Sequence, residues 1–348
     1  MLPRIRPDPL SWWREPASAL DQITHTATGF FLSRTGLGRA APEAPWVLLL
    51  AANAPDLDVI SLAGGPLSYI NYHRQLTHSI AGAPLMALAA VAAMRLAVRR
   101  PVAWLRLWLV ALAGVAAHLL LDLTNIYGMR LLLPFWGDWF HLDWSSVIDV
   151  WIWAAILVGL TGPVLVRLVN AEIGARPRKH AGRGFAVFAL AFIALYNIGR
   201  GVLHERAVGV LDARLYDGAA PLRVAAFPNA ANPFLWRGLV ETADVYSLAR
   251  VNLLSDFDPR EARRLHKPAP SEAIEAARGA PAVRDFLRFS LYPHWQVNAG
   301  SEGEEIRVSV FDLRFGTPEA PAFIASAVLS PRLEPVRSWF AFGRAGPR

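Results

Sequence analysis

The sequence predicts a mainly α-helical membrane protein. A polytopic transmembrane helical bundle, with four strong spans plus two shorter N-terminal helices (residues 1–204), precedes a small α+β soluble domain (205–348). Three observations carry this. Mean hydropathy over the 348 residues is +0.29, with 54% apolar and 18% charged side chains, which excludes a disordered or highly charged binding chain. Charge is unevenly spread, with 17 basic and 11 acidic residues in 1–203 against 18 and 17 in 204–348. Four stretches, 80–98, 103–121, 147–169 and 185–203, come close to or exceed the roughly 20 apolar residues that a bilayer crossing needs.

In chain order, residues 1–20 (MLPRIRPDPLSWWREPASAL) lack the apolar core of a cleavable signal peptide. Segments 21–38 and 45–64 are apolar but interrupted by polar residues, and read as short spans or as helices packed inside the bundle. In the four long stretches the charges (Arg95, Arg106, Asp149, Arg167, Arg200) sit near the ends, where long side chains reach the interface. If all six segments cross, Arg34, Arg39, Arg95, Arg99, Arg100, Arg106, Arg167, Arg176, Arg178, Lys179 and Arg183 share one side, 11 of the 17 basic residues of this part. The positive-inside rule makes that side cytoplasmic and places both termini, with the tail, outside. The basic pI of 10.2 then reflects helix orientation rather than nucleic-acid binding.

The tail reads as globular. Residues 306–315 (IRVSVFDLRF) alternate like a half-buried strand, and 286–297 (FLRFSLYPHWQV) is expected to pair with it across NAGSEGEE. SEAIEAARGAPAVRDF predicts a helix broken at 279–281, and 227–251 joins a Pro/Asn turn to a strand-like run. His204, His266 and His294 are isolated there and read as surface or packing residues.

The polar residues of the bundle are the informative part. Five of its six histidines (His25, His73, His78, His118, His141) fall on the outer side, with Asp21, Asp56, Asp58, Asp122, Asp138, Asp143 and Asp149; only His180 lies in the basic loop. Imidazoles and carboxylates gathered where unpaired groups are costly call for a cation. The chain has no cysteine, so a metal must use His and carboxylates. His118 and Asp122, four apart on a predicted helix, share a face. Pro55 is expected to end a short helix and leave Asp56 and Asp58 on an irregular turn, while His73 and His78 flank the start of the 80–98 stretch. The set His25, Asp56, Asp58, His73, His78, His118 and Asp122 exceeds one tetrahedral shell, so either two ions bind or some of these residues support the ligands. Zn²⁺ suits such ligands best, with Mn²⁺ or Fe²⁺ as alternatives. Taken singly, each has a plainer explanation: an interfacial histidine, a chance H-x-x-x-D, an aspartate capping a helix. Their recurrence on successive helices at one membrane face does not. Thr24, Thr77, Ser79, Asn53 and Asn125 read as supporting donors or caps.

These motifs also carry a resemblance. T-H near the start, N-x-P-D-x-D, H-R-x-x-T-H-S, and H-x-x-x-D-x-x-N-x-x-G ahead of LLLPF resemble the bacterial inner-membrane family of predicted membrane-bound metal-dependent hydrolases, some of them LexA-regulated. The likeness spans about residues 20–160. It implies that the seven residues above are the polar core, continued by the aromatic and acidic stretch Trp136, Asp138, Trp139, Asp143 and Asp149. A fainter similarity, T-H, P-D and H-x-x-x-D, links the helical zinc-dependent phospholipases C by analogy.

A metal held there would lower the pKa of water toward about 7. Asp58 or Asp149 could then serve as general base, and Arg74 could bind an anionic substrate or neutralise oxyanion charge, unless it simply pairs with a lipid headgroup or an Asp. The expected substrate is a phosphoester or lipid-type molecule, such as a lipid-linked phosphate, taken from the bilayer. No G-x-S-x-G, P-loop or G-x-G-x-x-G is present, so acyl-serine, nucleotide triphosphate and dinucleotide chemistry have no support. The alternatives are a metal-ion or proton-coupled transporter, which predicts discontinuous helices and ligands near the midplane, and a structural envelope protein with a metal staple.

Overall fold

The computed structural model describes residues 21–175, 181–298 and 305–343. Three features read from sequence lie outside the described residues: the leading segment 1–20, residues 176–180 of the basic loop with His180, and 299–304 of NAGSEGEE.

About half of the chain is helical. The helices are α1 (Asp21–Thr35), α2 (Ala44–Ala51), α3 (Pro66–Tyr72), α4 (Ala83–Val98), α5 (Trp104–Thr124), α6 (Val150–Glu172) and α7 (Ala181–Asp212), with 3₁₀ helices at Pro55–Gly64 and Leu76–His78. Helix α1 lies at the centre, packed on α2, α5 and α7. One apolar core forms among α2, α4 and α5 (Val47, Leu48, Val91, Leu107, Val115). A second forms among α1, α6 and α7, where Gly159 lets Phe31 approach to 2.5 Å of the place a Cβ would take.

Three helices, α5, α6 and α7, are long and apolar enough to cross a bilayer. The expected fourth long span, 80–98, is not confirmed as a single spanning helix. Only the 16 residues of α4 are helical there, because the preceding chain turns: Ser79 Oγ accepts from Gly82 N, Ile80 N donates to Leu131 O, and Pro84 stands at the helix start. Segments 66–78 and 83–98 meet at a 91° bend, and 44–51 meets 55–64 at 46°; counting each bent pair as a span gives up to five. Only 28% of the apolar window of α6 is buried within the protein, leaving an apolar surface that water would not tolerate and lipid would. Exposed Trp46 and Trp104 at one end of the bundle, and Trp136 and Trp151 at the other, match the aromatic belts of the two interfaces.

After α7 come two four-stranded antiparallel sheets. The first is ordered β1 (Arg223–Pro228), β2 (Leu235–Glu241), β3 (Val245–Asn252), β4 (Arg263–His266). The second comprises β5 (Pro293–Asn298), β6 (Ile306–Asp312), β9 (Phe323–Leu329) and β10 (Pro335–Phe342) in the order β10-β9-β6-β5, with the small hairpin β7 (Gly316–Thr317) and β8 (Ala320–Pro321) beside it. The helix broken at 279–281 appears as α8 (Glu272–Arg278) and α9 (Pro281–Leu287). Residues 286–297 are a strand only from Pro293, since Phe286, Phe289 and Tyr292 turn inward at the end of α9 to build the aromatic core. The 306–315 run likewise stops being a strand at Asp312, whose carboxylate accepts from Arg314 N and opens a 3₁₀ turn.

The last turns of α7 place Ala207 and Leu211 on the first sheet. The core of the second sheet takes in Ile70 of α3 and Ile126 and Tyr127, just beyond α5. The sheets therefore meet the bundle at the end where α5 finishes.

Candidate metal centre

Most residues of the site come from places where a helix ends or breaks. Asp56 and Asp58 lie in the first turn of the 3₁₀ helix that Pro55 begins, so Pro55 starts an element rather than ending one; α2 has already stopped at Ala51. His73 caps α3, Arg74 follows in a left-handed conformation (φ 56°), and His78 closes the next 3₁₀ turn. His118 and Asp122 face inward from the last two turns of α5, and His25 comes from the N-terminal half of α1.

Four of these converge. Ligand-type atoms of Asp56, His78, His118 and Asp122, all buried, lie within 4.8 Å of one another. His78 Nε2 is 3.1 Å from His118 Nε2, 3.4 Å from Asp56 Oδ1 and 3.2 Å from Asp122 Oδ2; His118 Nε2 is 3.3 Å from Asp122 Oδ2 and 3.7 Å from Asp56 Oδ1. Ligands about 2.0–2.2 Å from a tetrahedral ion stand about 3.3–3.6 Å apart. These edges are close to that.

The surrounding hydrogen bonds decide which atoms face the centre. His118 Nδ1 lies 2.8 Å from the carbonyl of Ala52, which can only accept, so Nδ1 carries the proton and Nε2 presents its lone pair inward. His78 Nδ1 lies 3.2 Å from Asp58 Oδ2 and 3.0 Å from Thr77 Oγ1, which itself donates to the same carboxylate oxygen, so its Nε2 also faces inward as an acceptor. Asp122 Oδ2 is fully buried and no donor hydrogen-bonds it among the described residues. Two imidazole lone pairs and two carboxylates pointed at one spot repel unless a positive charge stands between them. The residues present therefore fit a divalent cation.

Asp58 is occupied as an anchor. Its carboxylate accepts from His73 Nδ1 (2.7 Å), Arg74 N (2.9 Å) and Thr77 Oγ1 (2.7 Å), besides facing His78. With Asp56 and His73 it also makes a second group of three ligand-type side chains, so Asp56 belongs to both groups. Arg74 is buried. It donates to Asp122 Oδ1 (2.8 Å) and Asn125 Oδ1 (3.0 Å), and its guanidinium lies 4.9 Å over the ring of Tyr127. Of the two sequence readings, the Asp partnership is the one the structure displays. His25 Nε2 is 3.3 Å from Asp122 Oδ1, and its ring stacks on His118 at 3.8 Å.

Asp149 joins neither group. It caps α6, accepting from Trp151 N and Ile152 N, and takes the hydroxyl of Tyr196 at 3.0 Å. Of the expected supporting residues, Thr77 and Asn125 reach the cluster, while Ser79 caps the turn before α4 and Asn53 accepts from Thr26. Sequence reading missed three contributors. Tyr69 stacks on His73 at 4.4 Å, and Tyr127 lies under Arg74; both adjoin motif residues in the chain, which was the available signal. The Ala52 carbonyl that orients His118 is backbone and left no signal.

Broken helices that carry an all-oxygen-and-nitrogen donor set into a helical membrane bundle define a membrane protein with a candidate metal centre. Residues 20–207 match the model of the YdjM inner membrane protein family, and the chain belongs to that family. Residues 272–342 match the YfhP C-terminal alpha/beta plait domain. The chain is 24% identical over 321 residues, covering 88% of its length and 90% of the relative's, to the uncharacterized protein YfhP of Bacillus subtilis (strain 168). No solved structure matches it.

Proposed function

We propose that this protein is a membrane-embedded metal-dependent hydrolase acting on a phosphoester or lipid-type substrate, with its centre on the extracytoplasmic side. The observation that carries the reading is the near-tetrahedral meeting of Asp56, His78, His118 and Asp122 with both histidines oriented by their Nδ1 atoms. A donor set of imidazole and carboxylate without sulfur is that of zinc hydrolases more than of structural zinc sites, which rely on cysteine. Asp56, His78, His118 and Asp122 would hold a divalent ion, which would supply Lewis acidity and hydroxide at neutral pH.

The chain's own residues take the remaining tasks. Asp58, saturated by donors, orients rather than accepts a proton. His73, held through Nδ1 by Asp58 and stacked on Tyr69, is the better base, with Nε2 left to exchange a proton. Arg74 offsets the charge of Asp122. Leu57, Ile60, Tyr72 and Leu76, which neighbour the ligands in the chain, are exposed and apolar; this rim favours a substrate arriving from the lipid phase. The proposed orientation is supported by Arg34, Arg95, Arg99, Arg106 and Arg167 at the other end of the bundle.

A second reading, metal-ion transport, is favoured by one observation: the two helix breaks, at 46° and 91°, both lie at the cluster, as in transporters built on discontinuous helices. Elemental analysis of the detergent-purified protein, wild type against His118→Ala, comes first. About one or two equivalents of zinc, manganese or iron, lost in the variant, and metal-dependent release of phosphate or alcohol from a lipid phosphoester support the hydrolase. Bound metal without hydrolysis, but with uptake into proteoliposomes, replaces it by the transporter. No metal after reconstitution with all three ions removes both.

A further inference from the structure

At the ends of α1 and α2 opposite the cluster lies a cavity of about 940 Å³, near the top of the roughly 300–1,000 Å³ range of small-molecule sites. It is walled by α1, α2, α6 and α7. Phe30, Leu49, Leu160 and Val164 are among its apolar walls, and Arg34, Arg39, Arg167 and Arg183 line it as well. All four arginines are exposed, and no aspartate or glutamate lines the cavity. Among the described residues no carboxylate pairs with Arg34, Arg167 or Arg183; Arg34 instead lies 4.9 Å over the ring of Phe30. Ser33 and Asn170 add neutral polar groups beside the arginines. The glycines matter to the shape. Gly159 and Gly162 allow Phe31 and Phe185 to pack directly on the α6 backbone, and Gly159 and Pro163 themselves line the cavity.

We infer that this cavity binds one anionic diacyl phospholipid, its phosphate among Arg34, Arg167 and Arg183 and the first part of its chains against the apolar wall. The charge is the deciding feature. A zwitterionic headgroup would place an ammonium among four arginines with no carboxylate to receive it, whereas a lipid with net negative charge answers both the rim and the wall. Basic pockets between transmembrane helices take anionic headgroups for this reason. This site is separate from the metal chemistry and does not depend on the hydrolase reading.

The test uses the full chain in detergent, with the thermal unfolding midpoint followed as phosphatidylglycerol, phosphatidylcholine of the same chains, or inorganic phosphate is added. Phosphatidylglycerol should raise the midpoint saturably, and the other two should not. Each arginine near a headgroup is worth roughly fivefold in affinity, so the R34Q/R167Q/R183Q variant should need on the order of 100-fold more lipid for the same shift. An equal rise with phosphatidylcholine, or an unaltered response in the variant, overturns the inference; a rise with phosphate alone assigns the site to a free anion instead. Should the triple variant not fold, Trp46, which lines the cavity, serves as reporter in the otherwise native chain. Brominated phosphatidylglycerol should quench the fluorescence component lost in Trp46→Phe more than brominated phosphatidylcholine does at the same mole fraction, and equal quenching overturns the proposal.

Discussion

At the scale of single residues, the informative side chain is the one that touches no inward-facing ligand atom. Asp58 receives hydrogen bonds from His73 Nδ1, the Arg74 amide and Thr77 Oγ1 and faces His78 Nδ1. It therefore holds two imidazoles in the tautomer that leaves Nε2 free. Supporting carboxylates of this kind typically contribute 10–100-fold to metal affinity. Asp58→Asn keeps one accepting oxygen but replaces the other by a donor, which opposes one imidazole N–H. We expect metal affinity to fall about 10–100-fold with the fold retained, measured by competition against a chromophoric chelator. Unchanged affinity would show that Asp58 does not set the imidazoles. His118→Ala, which removes a ligand atom, should instead abolish stoichiometric binding. The candidates for this centre were legible in sequence because acids and imidazoles are expensive in an apolar bundle: four of the seven meet at one point, Asp58 and His73 form a neighbouring group with Asp56, and His25 lies against Asp122 and His118. Their division of labour was not legible. Whether an aspartate meets an ion or a histidine depends on which side of the ring it approaches, and spacing along the chain does not encode that.

At the scale of elements, the long helices were legible and the broken ones were not. Hydropathy sees residues 80–98 as one apolar run, yet the helix waits until Ala83, because the Ser79 hydroxyl and Leu131 carbonyl capture the preceding amides. His78 lies just before those captures, so the irregularity that interrupts the apolar run also helps to build the site. Asp149 shows the converse. The sequence offers it as a possible base, but its carboxylate accepts from two amides at the start of α6 and from Tyr196 of α7. Asp149→Ala should cost about 1 kcal/mol for the lost cap, with a further loss from the Tyr196 hydroxyl. It should lower the midpoint of thermal unfolding while leaving metal content as in the wild type. Loss of metal in this variant would return Asp149 to the centre.

At the scale of the whole molecule, one of the links between the sheets and the candidate metal group is a buried cation. Arg314, at the turn that ends β6, is fully buried and paired with Asp312; it donates to the carbonyls of Phe289 (2.9 Å), Ile126 (3.2 Å) and Tyr127 (3.3 Å). The Ile126–Tyr127 segment follows α5 directly. Asn125 holds Arg74 from one side, Tyr127 lies beneath it, and Arg74 in turn holds Asp122. Arg314 thus fixes the segment that fixes the arginine that neutralises a ligand. Removing one partner of a buried ion pair costs about 3–5 kcal/mol, so Arg314→Gln should destabilise the fold strongly. The more specific expectation concerns coupling, because a link between two sites acts equally in both directions. In the wild type, metal should slow hydrogen exchange at the amides of Ile126 and Tyr127. In Arg314→Gln that protection should shrink and metal affinity should fall together. If the variant binds metal as tightly as the wild type while the amides exchange freely, the sheets merely cover the bundle end, and the arrangement of Asp122 and Arg74 is maintained by the helices alone.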